Sequence, residues 1–226
     1  MNLDRPLPRA FYARPAPEVA RDLLGARLVH KEGAGLLGGR IVETEAYLGP
    51  GDRASHARSG LTRRNRPMFG PPGHAYVYRV YGLHWCLNVV TGRDGEAEAV
   101  LIRAALPLQG VDEQRRRRNR PDDPVERLAA GPARLCEALG VDSALDGHDL
   151  TAGERLWIAA ADSTGQMPSQ TAVEGIVAGP RVGVDYAGEP WATLPLRFGL
   201  RDHPALSRPF RSVVSSAVPG VGPGAG

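Results

Sequence analysis

The hydrophobic and polar positions of the chain predict one sheet accompanied by two short helices. Several short runs are rich in β-branched and aromatic residues and are bounded by glycine or proline, which is typical of strands. The predicted strands are 26–30, 40–48, 74–80, 83–90, 99–103, 155–160, 181–189 and 195–200. Helically spaced apolar residues and a closing glycine predict helices over 16–25 and 131–140 instead.

The glycine, proline and polar residues between these runs predict a hairpin and a long loop. Two β-prone stretches flank Tyr81 and Gly82, so we expect a β-hairpin with Tyr81 at or next to its tip. The pair Gly38-Gly39 predicts a turn before the strand 40–48. Residues 49–73 are rich in glycine, proline, serine and arginine, and so long a loop in a compact domain is commonly functional.

The strand "RIVETEAYL" carries two carboxylates inside an apolar run. On a regular strand Ile41, Glu43, Glu45 and Tyr47 share one face, with neighbours about 6–7 Å apart. Spacing alone leaves two interpretations open. Both glutamates could form salt bridges on the face of the sheet, or one could activate a water molecule to hydrolyse an N-glycosidic bond to a purine that leaves readily.

Composition limits the class of protein. With 226 residues the chain is long enough for one core, and we predict a single domain over 1–214 followed by a disordered tail rich in glycine and proline over 215–226. No run approaches the ~18 apolar residues of a membrane span, which predicts a cytoplasmic protein. Cys86 and Cys136 lie outside any C-x-x-C pattern and the histidines lack ligand spacing, so we expect no metal and no cofactor.

Positive charge on this chain is almost entirely guanidinium, because Lys31 is the only lysine. Arginine suits bidentate contacts with phosphate better than lysine does. In the long loop, "TRRNR" supplies Arg63, Arg64 and Arg66 as candidate phosphate contacts. The run "RRRR" at 115–118 is more typical of a solvated helix face or loop than of a phosphate site.

Aromatic residues add a second signal for nucleic acid. Tyr81 at a hairpin tip could act as a wedge between bases, although packing beneath the long loop explains it equally well. Tyr47, His56 and Tyr78 could stack on a base. Together with the arginines of the loop, they predict a site that handles nucleotides.

Several segments together resemble the alkyladenine (3-methyladenine) DNA glycosylase family. They are "RIVETEAYLGPGDRASH", "RNRPMFGPPGHAYVYRVYGLHWCLNVV", "VLIRAALPL", "GPARLCEALG" and "RVGVDYAGE...PLRF", in the same order and with similar gaps. The resemblance covers roughly Phe11 to Leu200, and its motifs "VETEAY" and "YVYxxYG" are specific. It implies an α+β fold: a single domain with a curved antiparallel β-sheet, a protruding β-hairpin and surrounding α-helices.

Carried over position by position, the resemblance implies the chemistry of the site. Glu45 would be the general base that activates water, whereas Glu43 matches a position without a catalytic role. Arg103 would contact the extruded nucleotide and help to orient the site. Tyr81 would intercalate into the duplex in place of the extruded base.

The same resemblance implies a pocket for the extruded base. Tyr47, Tyr78 and the imidazole of His56 would be its stacking walls, and the backbone of His56 would donate a hydrogen bond to the base. Asn88 would lie on the floor and reject the amino group of normal guanine.

These implications give one hypothesis and one alternative. The hypothesis is a monomeric, monofunctional DNA glycosylase of base excision repair, associated with the nucleoid, that removes alkylated or deaminated purines such as 3-methyladenine or hypoxanthine from double-stranded DNA. A lyase would need an amine nucleophile, and only Lys31 or the N-terminus could serve. The alternative is a catalytically inactive relative that binds DNA or RNA through the same basic face.

Overall fold

Eight strands, five short α-helices and five short 3-10 turns make up the regular structure of residues 5–160 and 175–210, which are the residues that the computed structural model describes. The strands are β1 (Arg27–Glu32), β2 (Gly35–Tyr47), β3 (Ala75–Val80), β4 (His84–Thr91), β5 (Glu98–Gln109), β6 (Leu156–Ala159), β7 (Ile176–Gly179) and β8 (Arg197–Leu200). The helices are α1 (Arg9–Tyr12), α2 (Ala16–Asp22), α3 (Val111–Arg118), α4 (Val125–Leu128) and α5 (Pro132–Leu139). The predicted tail 215–226 lies outside the described residues.

The strands form one antiparallel sheet in which β2 is the central member. The order along the sheet is β3-β4-β5-β2-β1-β6, and β8 pairs with β2 at residues 43–45 and carries β7 on its other side. The long β2 therefore pairs with three strands, and the sheet curls into a half-barrel. This confirms the α+β fold with a curved antiparallel sheet and a β3–β4 hairpin.

Helices α2 and α5 close the apolar face of the sheet. In α5, Leu135 and Leu139 are fully buried one turn apart, and the helix begins at Pro132 and ends at Gly140 in the left-handed conformation with φ 68°. Ile102 of β5 belongs to the same core, as does Leu23 immediately after α2. The predicted helices over 16–25 and 131–140 are thus confirmed.

The glycine pair 38–39 is not a turn, contrary to the prediction. Both residues lie within β2, and the turn that precedes the strand falls at Gly33 and Ala34. A Cβ atom on Gly39 would lie 2.7 Å from the carbonyl oxygen of Leu106 on β5. Glycine is needed here because the backbones approach closely, and a sequence pattern shows only that a glycine is present.

Two of the three register shifts between β2 and β5 change which side chains share a face. Val42 has no partner on β5, and Arg103 has no partner on β2. Ile41 consequently packs in the main core, whereas Val42 and Glu43 both face the other side, so the prediction that Ile41 shares a face with Glu43 and Glu45 was wrong. Bulges of this kind re-aim side chains near functional sites.

Three further differences concern strand boundaries. The strand predicted to end at Arg103 continues to Gln109, and it contains Pro107 beyond its pairing with β4. Residues 181–189 are irregular with a short 3-10 turn at Asp185–Ala187, although they alternate like a strand. The four-residue strand β7 was not predicted.

Three arginines of the run on α3 form ion pairs within the protein, and Arg115 donates to the carbonyls of Pro121 and Asp123. Arg116 and Arg117 pair with Glu113 of the same helix, and Arg117 also contacts Glu32. Arg118 pairs with Glu137 on α5. These contacts agree with the interpretation of the run as a helix face rather than a phosphate site. Separately, no helix among the described residues is long and apolar enough to cross a membrane.

Replacing Gly39 by alanine should destabilise the sheet. The added Cβ would clash with the carbonyl oxygen and the carbonyl carbon of Leu106 on β5. Because both are backbone atoms, a rotamer change cannot relieve the clash. We expect the free energy of unfolding to fall by about 1–3 kcal/mol, measured by urea denaturation. Gly35→Ala is the matched control on the same strand, since the closest atom to its Cβ is 3.5 Å away. Equal losses for the two variants would contradict the close-approach argument.

Candidate active site

A cleft of about 710 Å³ opens on the face of the sheet opposite the α2 packing, between the β3–β4 hairpin, the long loop 49–73 and the segment 181–187. Polar and aromatic side chains from all of these elements line it. They are Tyr47, His56, Arg64, Tyr76, Tyr78, Tyr81, Cys86, Asn88, Arg103, Arg127, Arg134, Tyr186, Ser207 and Arg208. Segments far apart in sequence therefore meet in one concave site, as ligand sites usually require.

Glu43 is fully buried and is the hub of a charged network beneath the cleft. Its Oε1 accepts hydrogen bonds from Nε of Arg103, Nε of Arg197 and Oγ of Ser207, each at 2.8 Å, and its Oε2 accepts one from the Ser207 amide at 2.6 Å. Burial by itself would raise the pKa of Glu43, but the two guanidinium groups and the amide lower it overall. Glu43 is thus a structural carboxylate with its lone pairs occupied.

Glu45 is also fully buried, but its surroundings differ. Its Oε1 accepts a hydrogen bond from the Val182 amide at 2.7 Å, and its Oε2 accepts one from the hydroxyl of Tyr47 at 3.0 Å. Arg103 lies 3.2 Å from the same Oε2 through its terminal nitrogen. All three of these partners line the cleft, so the carboxylate lies directly behind the cleft wall.

Arg103 joins the two carboxylates and fixes their relation. Its Nε is bound to Glu43, a terminal nitrogen faces Glu45, and the other terminal nitrogen donates to Oγ of Ser207 at 3.1 Å. Burial opposes the charge of this guanidinium, while Glu45 and Glu43 together raise its pKa above the usual range. The bulge on β5 is what turns this side chain toward both glutamates.

A buried ion pair holds the segment that contacts Glu45. Both guanidinium terminal nitrogens of Arg181 bind the carboxylate of Asp52, and neither side chain is exposed. Arg181 also donates to the carbonyl of Ala46 at 3.0 Å, and its guanidinium lies 4.8 Å from the ring centre of Tyr47. These contacts place the next residue, Val182, so that its amide points at Glu45.

Aromatic rings form one wall of the cleft. Tyr76 and Tyr78 lie with their ring centres 5.2 Å apart and tilted by 31°, and the ring of His56 meets Tyr78 edge-on at 4.4 Å. The hydroxyl of Tyr76 is 2.9 Å from Nδ1 of His56. Burial, followed by the nearby Arg64 and Arg58, lowers the pKa of His56 to about 4, so its ring is neutral at neutral pH.

The floor of the cleft is polar but uncharged. Asn88 is buried and donates through its amide nitrogen to the carbonyl of Tyr76 at 3.1 Å. Cys86 lies beside Tyr78, and burial raises the pKa of its thiol to about 11. Burial also raises the pKa of Tyr78 well above its ordinary value. Besides the guanidinium groups that also line the cleft, an occupant therefore meets neutral rings, an amide and a thiol.

Tyr81 stands at the tip of the hairpin, where the sequence predicted it. Its side chain is 91% exposed, and its backbone lies in the left-handed region with φ 52°. Leu83 beside it is 70% exposed. Two large apolar side chains are thus exposed at the hairpin tip, and Tyr81 also lines the cleft.

Of the three predicted phosphate contacts, Arg64 lines the cleft and donates to the carbonyl of Arg79 at 2.9 Å. Arg63 and Arg66 are exposed on the long loop but do not belong to the lining of the cleft. Arg127, Arg134 and Arg208 are exposed and line the cleft, and the sequence analysis did not single these out.

The structure brings most of the predicted site residues together. Glu45, Tyr47, His56, Tyr78, Asn88, Tyr81 and Arg103 all border or back the cleft. Sequence reasoning missed Asp52, Tyr76, Arg181, Val182, Arg197 and Ser207. A weak signal existed for Tyr76, because it alternates with Tyr78 on β3; the others depend on contacts between distant segments.

Two buried carboxylates with different partners lie beneath the cleft. One carboxylate has its lone pairs occupied, and the other is bound by three donors that line the cleft. The described residues contain no group of three or more His, Cys, Asp or Glu side chains that could hold a metal ion.

Comparison with known proteins identifies relatives over nearly the whole length. A family model described as methylpurine-DNA glycosylase matches residues 10–204. A protein named "Putative 3-methyladenine DNA glycosylase" from Methanocella arvoryzae is 48% identical over 202 residues, which is 89% of this chain and 96% of the relative. Proteins of the same name are 50% identical in Methanoculleus marisnigri, over 89% of this chain and 98% of the relative, and in Anaeromyxobacter dehalogenans strain 2CP-C, over 90% and 87%.

The low pKa of His56 should appear in the pH dependence of stability. Because the folded protein keeps this ring neutral down to about pH 4, the unfolded chain binds more protons between about pH 6.5 and 4. The contribution of His56 to the free energy of unfolding is complete above about pH 6.5 and is lost as the pH falls through that window. Urea denaturation at a series of pH values should show wild type losing more stability than His56→Gln. Parallel profiles would contradict this.

Proposed function

The chain belongs to the methylpurine-DNA glycosylase family, and from this premise we propose that it hydrolyses the N-glycosidic bond of an alkylated or deaminated purine extruded from duplex DNA. The product would be a free base and an abasic site. The observation that carries the proposal is the setting of Glu45, a carboxylate bound by Val182, Tyr47 and Arg103 directly behind the cleft wall.

Glu45 is proposed as the general base. A water molecule in the cleft beside Arg103 and Val182 would give its proton to Glu45 while it attacks the anomeric carbon of the sugar. Tyr47 supports this orientation as a neutral donor, because burial, and then the charge of Glu45, raise its pKa well above 10. The positive charge of Arg103 is shared with Glu43, so the Glu45 carboxylate is not its sole counter-ion.

The aromatic wall is proposed to hold the purine. Stacking on a base is available from Tyr47, Tyr78 and His56, and it suits damaged purines because methylation leaves the π-face intact. The backbone of His56 and the side chain of Asn88 would supply the polar contacts to the base edge. Alkylation at a ring nitrogen makes the purine cationic and a better leaving group, so less catalysis is needed at the base.

Tyr81 is proposed to fill the gap that the extruded nucleotide leaves. The ring is already projected from the hairpin tip, and Leu83 widens the apolar surface beside it. Extrusion costs a few kcal/mol, least for a damaged base, and insertion of an aromatic ring between base steps offsets part of that cost. Arg63, Arg64 and Arg66 are proposed to contact phosphates of the same duplex.

We propose a water-using enzyme without lyase activity. Lyase chemistry of a glycosylase proceeds through a Schiff base with an amine. Lys31 lies exposed on β1 and does not line the cleft. The competing proposal, an inactive protein that binds nucleic acid through the same face, leaves the three donors around Glu45 without a chemical use.

Replacing Glu45 by glutamine should abolish most base release while leaving the pocket in place. Glutamine keeps the shape of the side chain but removes the general base, so the single-turnover rate should fall about 10²–10⁴-fold. The measurement is release of free base from duplexes that contain hypoxanthine, ethenoadenine or 3-methyladenine. Glu154→Gln, an exposed carboxylate outside the cleft, is the control. Binding of DNA by wild type with no release of any base would favour the inactive alternative.

Replacing Tyr81 by alanine should weaken extrusion more than chemistry. Loss of one base–aromatic stack is worth about 1–3 kcal/mol, so the fraction of extruded base should fall about tenfold or more. Fluorescence of 2-aminopurine beside the lesion would report extrusion, and Tyr81→Phe should retain most of the signal. If both variants extrude and release the base like wild type, the assignment of Tyr81 is wrong.

A further inference from the structure

A second groove lies on the outer face of the β3–β4 hairpin. It is open, about 440 Å³ in volume, and is lined by Arg63, Arg64, Val77, Tyr78, Arg79, Trp85 and Asp146. Of the described residues that line it, three are arginine and one is acidic. Tyr78, Arg63 and Arg64 already have roles in the proposed function, whereas Arg79, Trp85 and Asp146 have none.

Alternation along the hairpin gives it two functional faces. Cys86 lines the main cleft, and its cross-strand partner Tyr78 lines both the cleft and the groove, whereas Arg79 and its partner Trp85 line only the groove. The guanidinium of Arg79 lies 5.4 Å from the ring centre of Trp85. A stacked guanidinium keeps its N–H groups in the plane free to donate to an oxyanion.

The groove is continuous with the main cleft through Arg64. This side chain lines both, donates to the carbonyl of Arg79 at 2.9 Å, and places its guanidinium 5.6 Å from the ring centre of Tyr78. If one unit of a polymer occupied the cleft, a neighbouring unit of the same polymer could therefore lie in the groove.

The arginines of the groove differ in charge balance from those of α3. Within residues 5–160 and 175–210, none of Arg63, Arg64 and Arg79 lies within ion-pairing distance of a carboxylate, whereas Arg116, Arg117 and Arg118 all do. The acidic residue of the groove, Asp146, accepts a hydrogen bond from the Val77 amide through Oδ1 at 2.8 Å. The positive charge of the groove is therefore available to an external anion.

We propose that this groove binds the sugar-phosphate backbone of duplex DNA next to the point where Tyr81 enters. Arg79 and Arg63 would contact successive phosphates, and Trp85 would pack against a deoxyribose. Unpaired guanidinium groups interleaved with an aromatic ring, beside an exposed wedge, form the combination that a nucleic-acid backbone fits. The inference rests on the proposed function in one respect, namely that the ligand is the duplex that the cleft receives.

The test is the salt dependence of DNA binding, which does not require catalysis. Affinity for a labelled undamaged duplex would be measured by fluorescence anisotropy over a range of salt concentrations. Each phosphate contact contributes about 0.9 to the slope of log K against log salt. Arg79→Gln and Arg63→Gln should each make the slope shallower by about that amount. Arg79→Lys, which keeps the charge, should retain it, and Arg120→Gln, an exposed arginine outside both clefts, should match wild type.

The position of the contacted phosphate along the DNA is tested with duplexes in which one phosphate is replaced by a neutral methylphosphonate. When the replaced phosphate is the one that Arg79 contacts, the affinity of wild type for the duplex should fall, whereas the affinity of Arg79→Gln should change little. If Arg79→Gln and Arg63→Gln have the same slope of log K against log salt as Arg120→Gln, the groove does not bind the DNA backbone. This conclusion holds whether or not wild type releases a base. If the slopes become shallower as expected but wild type releases no base, the DNA-binding role of the groove is supported and the proposed hydrolysis is contradicted.

Discussion

Two carboxylates buried at the centre of the sheet constrain the rest of the structure. Removing an ionised carboxylate from water costs several kcal/mol unless partners compensate, and neither Glu43 nor Glu45 has any exposed surface. Their compensation comes from Arg103 on β5, Arg197 on β8 and backbone amides on two later segments. Because these partners hydrogen-bond in fixed directions, the network sets how β5 and β8 are placed on the two sides of β2, and the cleft follows from that placement.

The division of charge within the site matches a ligand with a neutral or cationic base and an anionic backbone. Burial keeps Tyr78 and Cys86 protonated by raising their pKa, and it lowers the pKa of His56, so the pocket wall is neutral. The charged side chains lie beneath this wall, as ion pairs, or around its rim, as exposed arginines. A purine would be held by its π-face, and the phosphates would be held outside the pocket.

Local patterns predicted seven of the eight described strands, helices α2 and α5, the hairpin and the residues that carry the resemblance, because each of these depends on neighbours in sequence. Patterns could not locate the bulges at Val42 and Arg103, since a bulge follows from how two strands meet. For the same reason they missed Asp52, whose partner Arg181 lies 129 residues further along the chain. Alternation of apolar and polar residues also led to the wrong prediction of a strand over 181–189. The backbone there is held by contacts with Asp52 and Glu45 and not by hydrogen bonds to a neighbouring strand.

The contact between Ser207 and Glu43 spans 164 residues, almost the full length of the described chain. A nascent chain that has been translated only through β7 has most of its sheet but lacks both Arg197 and Ser207. Glu43 then has one of its two cationic partners, and Glu45 lacks the amide of Val182. The two buried carboxylates therefore obtain all their partners only after the last strand and the segment that follows it have been made.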